Sequence, residues 1–437
     1  MLSHNNMKPL LVISAPIETF SGYGARSRDI ALSIIKSEKY DVKILSQRWG
    51  STPYGFLKDS NPDHKLIKDC ILAVPQLPKQ PDVWIQITVP NEMQRIGKFN
   101  ILITAGIETT ICDPSWIEGC NNADLVLVSS EHAKTVFQNS KFEKRNSQTQ
   151  QIESIVELKT PVEVLFEGVN IDIYNKIDKF NNIDLYEFIN EIPEDYAFLY
   201  LGHWLQGDLN EDRKNVSGLL RIFLETFRGK IKPPALILKT QSATPSIMDR
   251  DEMLDKIRAI QQYIGGDLPP VYLLHGEFSD EDINELYNHP KIKAFVSFTK
   301  GEGYGRPLLE FTTSQKPVIA PNWSGHVDFL SEFSTLLPGI LTPIHPSAVI
   351  QNMILPESAW FTVNDKEASK TLEDVFKNYK KYTDKAKRQA HHSKTEFSLE
   401  KMSEKLLTIL DSKVPKPVQL KLPSLKRIEL PKIKRIE

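Results

Sequence analysis

The stretch Lys300–Asn322, KGEGYGRPLLEFTTSQKPVIAPN, follows the apolar run Ile292–Phe298 (IKAFVSF), and together they read as strand, loop, helix, strand. Ile292–Phe298 has the composition of a strand buried on both faces. Gly301, Glu302, Gly303, Tyr304 and Gly305 form the loop, and Pro307 stands at the expected first helical residue, where its missing N–H costs nothing. The helix is expected over about Pro307–Ser314, with Lys316 and Pro317 ending it and Val318–Ala320 starting the next strand. A glycine loop at a helix N-terminus offers unpaired N–H groups to an anion such as phosphate. Glu302 in the loop and Glu310 in the helix can face one crevice at the carboxyl end of a parallel strand. Beside a phosphate, a carboxylate serves better as an acceptor from hydroxyls. A polyhydroxylated ligand carrying phosphate follows; the bland alternative is a pair of surface glutamates beside turn glycines.

At 437 residues, 25% charged and 40% hydrophobic, the chain has the make-up of an ordinary globular protein of two or three domains. A formal net charge of -2 argues against broad nucleic-acid affinity. The longest apolar run near the N-terminus, Pro9–Ile17, is too short to cross a bilayer and carries no signal-peptide pattern, so a cytoplasmic protein without a transmembrane segment is expected. Cys70, Cys112 and Cys120 are too few and too irregularly spaced for a disulfide framework or a zinc site.

Around the opening stretch the pattern is α/β on both sides. Pro9–Ala15, Val42–Leu45, Pro81–Val89, Asn100–Ala105 and Asp124–Ser130 read as strands of a first Rossmann-like domain, 1–190. The loop SGYGARS after the first strand holds Gly22 and Gly24, but Ser27 occupies the third glycine position of a dinucleotide fingerprint and no acid ends the second strand. Asn139–Leu158 is polar and reads as a surface loop, and Ile171–Asp195 as a linker. A second Rossmann-like domain, 191–397, contains the strands Tyr196–Leu201, Ala235–Lys239 and Val271–Leu274. Arg213 and Lys214 open its first helix, against the dipole preference for acids there. Ser331–Ala359 reads as irregular, and the helical stretches Glu367–Tyr379 and Thr383–Leu410 follow.

The spacing Glu302-GYGRPLL-Glu310 resembles the paired glutamates of retaining GT-B glycosyltransferases, particularly glycosyltransferase family 4. The resemblance extends to a strand, an E-T segment at Glu108–Thr109, a P-x-W helix start at Pro114, the strand DLVLVSS, the turn Gly168–Asn170, and Trp360–Asp365. It implies two Rossmann-like domains facing across a cleft, the first binding the acceptor and the second the nucleotide sugar, with a final helix (398–412) crossing back to the first. It further implies transfer of a hexose or pentose from a nucleoside diphosphate sugar to an acceptor hydroxyl with retained anomeric configuration, and no cofactor or metal. Glu302 would hold the transferred sugar, Glu310 the ribose, and Lys214 with Arg213 the diphosphate. Gly303, Tyr304 and Gly305 would supply N–H groups, and Ser324 and Gly325 a close backbone approach. Gly22, Gly24 and Arg26 lie where the family's first glycine loop touches donor or acceptor. Two departures stand out. His203 replaces the family's usual arginine, and Gly106 with its neighbours replaces a histidine, leaving Glu108 as the polar group near the acceptor. Asp328 takes the place of a frequent glutamate, and His326 is either a phosphate contact or structural. Other GT-B chemistry, as a phosphorylase or nucleotide-sugar hydrolase, and a non-catalytic nucleotide-sugar-binding scaffold are the alternatives. The acceptor, whether glycan, lipid, protein or modified nucleobase, stays open.

The C-terminal segment 413–437 carries eight Lys or Arg against two Glu and ends in the tandem repeat LPSLKRIE-LPKIKRIE, in which six of eight positions are identical. Such a segment builds no core, and disorder or docking to a partner or anionic surface is expected.

Overall fold

The computed structural model describes residues 8–242 and 245–416, so the tandem repeat lies outside the described residues. In chain order the first half comprises β1 (Leu10–Ala15), α1 (Gly22–Lys36), β2 (Asp41–Ser46), α2 (Pro62–Cys70), β3 (Val83–Ile87), β4 (Phe99–Thr104), α3 (Pro114–Asn121), β5 (Leu125–Val128), α4 (Glu131–Asn139), β6 (Phe142–Arg145), β7 (Ile152–Val156) and β8 (Val162–Val164). The second half comprises α5 (Ile183–Asn190), β9 (Ala197–His203), α6 (Val216–Phe227), β10 (Ala235–Gln241), α7 (Ile247–Ile264), β11 (Val271–Leu274), α8 (Asp280–Asn288), β12 (Ile292–Val296), α9 (Arg306–Thr312), β13 (Val318–Pro321), β14 (Thr335–Leu337), β15 (Gly339–Pro343), β16 (Ala359–Val363), α10 (Asp365–Lys377), α11 (Tyr379–Glu396) and α12 (Leu399–Lys413).

Two six-stranded parallel sheets result, ordered β2-β1-β3-β4-β5-β8 and β11-β10-β9-β12-β13-β14. Apolar cores lie on both faces of each, as two-sided burial of the strand runs requires. In each sheet the strand order reverses at one place: between β1 and β3 in the first, between β9 and β12 in the second. Loops leaving the carboxyl ends of such neighbours diverge to opposite faces and leave a crevice, the usual ligand position in open α/β sheets. The two crevices fix where function is to be sought.

The last helix belongs to both halves. α12 starts beside the second sheet, with Ser398 Oγ accepting from the Lys401 N–H, and buries Met402, Leu406 and Leu410 in the core of the first sheet against α1. It crosses back, as the resemblance implies.

Several elements differ from the sequence reading. Residues 139–158 hold the antiparallel hairpin β6–β7, not a loop; its strands are exposed on both faces and so lack the apolar alternation that marks a strand. The linker 171–195 contains α5, capped by Asn182. Ser331–Ala359 contributes the edge strand β14 and β15, which pairs with β16. The helical stretch Thr383–Leu410 divides into α11 and α12 at Phe397–Ser398, where the resemblance places the start of the crossover helix; there the chain bridges to Val169 and turns toward the first sheet. α9 begins one residue earlier than expected, with Pro307 second rather than first.

Candidate active site at the second switch point

The loop between β12 and α9 leaves the carboxyl end of β12 and meets the first half of the chain at contact distance. A Cβ on Gly301 would lie 2.0 Å from the Glu108 carbonyl oxygen, and one on Gly303 would lie 2.9 Å from that of Ala105. Ser130 Oγ donates to the Gly303 carbonyl at 2.7 Å. Only glycine lets these two backbones approach so closely. From behind, Ser324 Oγ accepts from the Glu302 N–H (3.0 Å), and the Gly325 N–H donates to the Glu302 carbonyl (2.9 Å). Ser324 holds φ at +74°, a conformation that L-residues adopt only under constraint. Among the described residues, the N–H groups of Gly303, Tyr304 and Gly305 have no acceptor. They are available to an anion.

Four charged side chains meet over this loop. Lys214 Nζ lies 2.6 Å from both Glu302 oxygens, and the Arg213 guanidinium donates to the Gly301 carbonyl (2.9 Å) while pairing with Glu108 (3.1 Å) and more distantly with Glu302 (3.8 Å). The turn before α6 aims the two cations. Asp212 accepts from the Val216 N–H and Ser217 Oγ, Asn215 adopts the left-handed conformation (φ +50°), and the Arg213 carbonyl accepts the Lys300 N–H. Burial opposes ionisation of Glu302, but Lys214 and Arg213 outweigh it and hold its carboxyl below the usual range. Burial also lowers the Lys214 ammonium, while Glu302 offsets part of that. Arg213, pulled down by burial, is raised overall by Glu108 and Glu302. Glu302, Lys214, Arg213 and Glu108, all singled out in the sequence, thus form one network that joins the halves.

Glu310 sits apart from that network. Its partner is Arg306, one turn earlier in α9, whose guanidinium lies 3.5 Å from Glu310, 2.7 Å from Asp29 of α1 and 3.5 Å from Glu167. One cation serves three carboxylates. Burial therefore dominates at Glu310 and, with Asp280, Asp29 and Glu167 adding to it against Arg306, pushes its carboxyl up to about 7. Arg306, Asp29 and Glu167 escaped the sequence reading, although Arg306 lies inside the quoted stretch, at the start of α9, and a lone basic residue between two glutamates was the available signal.

Other residues singled out in the sequence have structural partners. Gly24 sits in a tight turn where a Cβ would lie 2.3 Å from the Thr19 carbonyl oxygen, whereas Gly22 faces open space. Arg26 is buried and donates to the carbonyls of Leu165 and Phe166, so it clamps the first half internally instead of facing the crevice. His326 is fully buried, with Nε2 2.7 Å from the Pro321 carbonyl oxygen, and burial holds its imidazole below the usual range. It packs behind the loop. Asp328 accepts from the Glu131 N–H at the start of α4, 2.8 Å, capping a helix of the other half. His203 Nδ1 lies 3.1 Å from the Ser242 carbonyl oxygen. The Tyr304 side chain is buried against Phe329, leaving only its backbone toward the crevice. His132, not singled out, packs edge-on to Trp323, and burial lowers its imidazole to about 4. Among the described residues no group of three His, Cys, Asp or Glu side chains is placed to hold a metal ion, and no helix is long and apolar enough to cross a membrane.

No protein-family model and no curated protein matches the sequence. Solved structures do match. A glycosyltransferase from Rickettsia africae superposes with a TM-score of 0.62 at 13% identity, covering 94% of this chain and 100% of that one. Sucrose-phosphate synthase from Thermosynechococcus elongatus gives 0.60 at 11% identity over 92% and 98%. HepE from Anabaena, in complex with UDP and glucose, gives 0.58 at 10% identity over 92% and 100%. With two parallel six-stranded sheets facing each other across their carboxyl-end loops and a final helix crossing back, this chain has the GT-B fold.

Proposed function

We propose that this protein is a retaining glycosyltransferase that moves a hexose or pentose from a nucleoside diphosphate sugar to an acceptor hydroxyl. The observation that carries the proposal is the placement of two cations, Lys214 and Arg213, and three unpartnered N–H groups around Glu302 at the switch point of the second sheet. In this reading the diphosphate takes the cations and N–H groups, Glu302 accepts from hydroxyls of the transferred sugar, and Glu310 accepts from the ribose. Lys214 must then exchange part of its contact with Glu302 for a phosphate oxygen, freeing Glu302 for the sugar. As the bond between the anomeric carbon and the phosphate oxygen breaks, the developing charge falls on Lys214 and Arg213 in a poorly hydrated site. That interaction is worth several kcal/mol as a rough figure, and the reading requires no metal. The acceptor oxygen bonds to the same face of the anomeric carbon, and its proton passes to the departing phosphate oxygen. That HepE, of the same fold, has been captured with UDP and glucose supports the choice of donor.

The test is incubation with UDP-, GDP-, ADP- and CMP-sugars and a mixture of acceptors, followed by mass spectrometry and NMR of the new anomeric centre. One donor is expected to give a glycoside of unchanged configuration. Release of free sugar alone would make the protein a hydrolase, and inversion would rule out the mechanism.

A further inference from the structure

The first sheet has its own switch point, between β1 and β3, and the chain builds a pocket of about 530 Å³ there. Its floor is Ser14, Gln86 and Thr88, all buried, at or just beyond the carboxyl ends of these strands. Its rim is Gln47, Arg48 and Trp49 after β2, and Asn91 and Gln94 after β3. The pocket adjoins the candidate active site through a short relay. Trp49 stacks on Tyr23 (centroids 4.1 Å, planes 22° apart), the Tyr23 hydroxyl accepts from the Ala105 N–H at 3.1 Å, and Ala105 touches Gly303.

The chemistry of the lining is specific. Three side-chain amides stand on or beside the rim, and among the described residues those of Asn91 and Gln94, like the Arg48 guanidinium, have no hydrogen-bond or ion-pair partner. The floor amide is fixed: Gln86 donates to the Glu92 carbonyl at 2.9 Å and accepts from the Gln94 N–H at 2.9 Å. Gln47 donates to Ser14 Oγ at 3.2 Å and keeps its own carbonyl oxygen for a ligand. Amides donate and accept together, which matches hydroxyl groups that do the same. Trp49, half-buried and held flat by Tyr23, offers an apolar ring beside them. A phosphodiester chain would call for a row of cations, and Arg48 is the only Lys or Arg in the lining. A lipid tail would call for an apolar channel, and the lining is mostly polar.

We propose that this pocket is the acceptor site and that the acceptor is a saccharide, its ring laid on Trp49 and its hydroxyls shared among Gln47, Asn91 and Gln94. The proposal rests on the donor reading above for the pocket's role, but saccharide binding is measurable without any donor. Saturation-transfer NMR on the full chain would use glucose, galactose, N-acetylglucosamine and maltose as probes, with UDP, GDP, ADP and CMP offered separately. At least one saccharide is expected to receive saturation, with Trp49→Ala weakening it at least tenfold, while nucleotide binding is unchanged. Asn91→Ala and Gln94→Ala, at exposed positions, give the same readout should Trp49→Ala not fold. Nucleotide binding with no saccharide binding, or saccharide binding indifferent to all three substitutions, overturns the proposal and leaves the donor reading intact. Binding of a short DNA duplex or a dodecyl phosphate that these substitutions abolish overturns it in favour of another acceptor class. Saccharide binding without any nucleotide sustains the pocket and counts against the donor reading alone.

Discussion

At the scale of single residues, the two glutamates of the quoted stretch have opposite electrostatic fates. Glu302 is held ionised by two cations, whereas Glu310 shares one cation with two other acids and titrates at about 7. A raised acid holds its proton more tightly in the folded state. Its contribution to stability is therefore full below about pH 4.5 and is lost as pH rises through about 7, amounting to about 3 kcal/mol at most. Glu310→Gln is expected to flatten this part of the profile and to raise stability at pH 8, read from urea denaturation at several pH values. If the ionised carboxylate accepts from the ribose, donor affinity should fall about thirtyfold between pH 8 and pH 5.5, and the Gln variant should lose that dependence. For the other pair, Lys214→Met leaves Glu302 buried without its nearest partner and should cost about 3 kcal/mol, while Lys214→Met with Glu302→Gln should cost clearly less. A double variant costing the sum of Lys214→Met and Glu302→Gln measured singly would mean that the pair is not coupled. Sequence reading reached Glu302, Lys214, Arg213 and Glu108 because charged residues at loop and helix starts stand out against an apolar pattern. It missed Asp29 and Glu167 because their link to Arg306 spans 277 and 139 residues and leaves no local trace.

At the scale of elements, the loop between β12 and α9 is legible because its neighbours are buried parallel strands, which read as continuous apolar runs, and because glycines cluster where backbones meet. What the pattern cannot say is which glycine matters for which reason. Gly22 faces open space at negative φ, so Gly22→Ala should change stability by no more than about 0.5 kcal/mol. Gly24→Ala would press a methyl against a carbonyl oxygen and should cost about 2 kcal/mol or more. Thermal melts of the two variants side by side test this; equal losses would contradict the turn geometry. The hairpin β6–β7 leaves no trace in the apolar pattern, and the break before α12 is placed near Ser398 by the resemblance alone. One is exposed on both faces, and the other depends on a bridge to Val169 more than two hundred residues away.

At the scale of the whole molecule, the two halves are not independent bodies. Gly303 accepts from Ser130, Asp328 caps α4, Arg306 reaches Asp29, and α12 buries Leu406 in the first core. Leu406→Ala should cost about 2–5 kcal/mol, although the residue comes from the C-terminal end of the chain. Hydrogen exchange should then show the first sheet loosening at least as much as the second; protection lost only from the second would contradict the crossover. The GT-B architecture was legible as two rounds of strand and helix around a glycine-rich turn. The contact surface between the rounds was not, since it is made by loops with no periodicity. Donor binding is the property on which the functional account depends. The most direct measurement is thermal stabilisation of the protein by UDP-, GDP-, ADP- and CMP-sugars, with Glu310→Ala and Lys214→Ala alongside. One donor at about one hundred times its Kd should add about 2.7 kcal/mol to the wild type and far less to either variant. No shift with any nucleotide sugar, or a shift that survives both substitutions, would contradict the account.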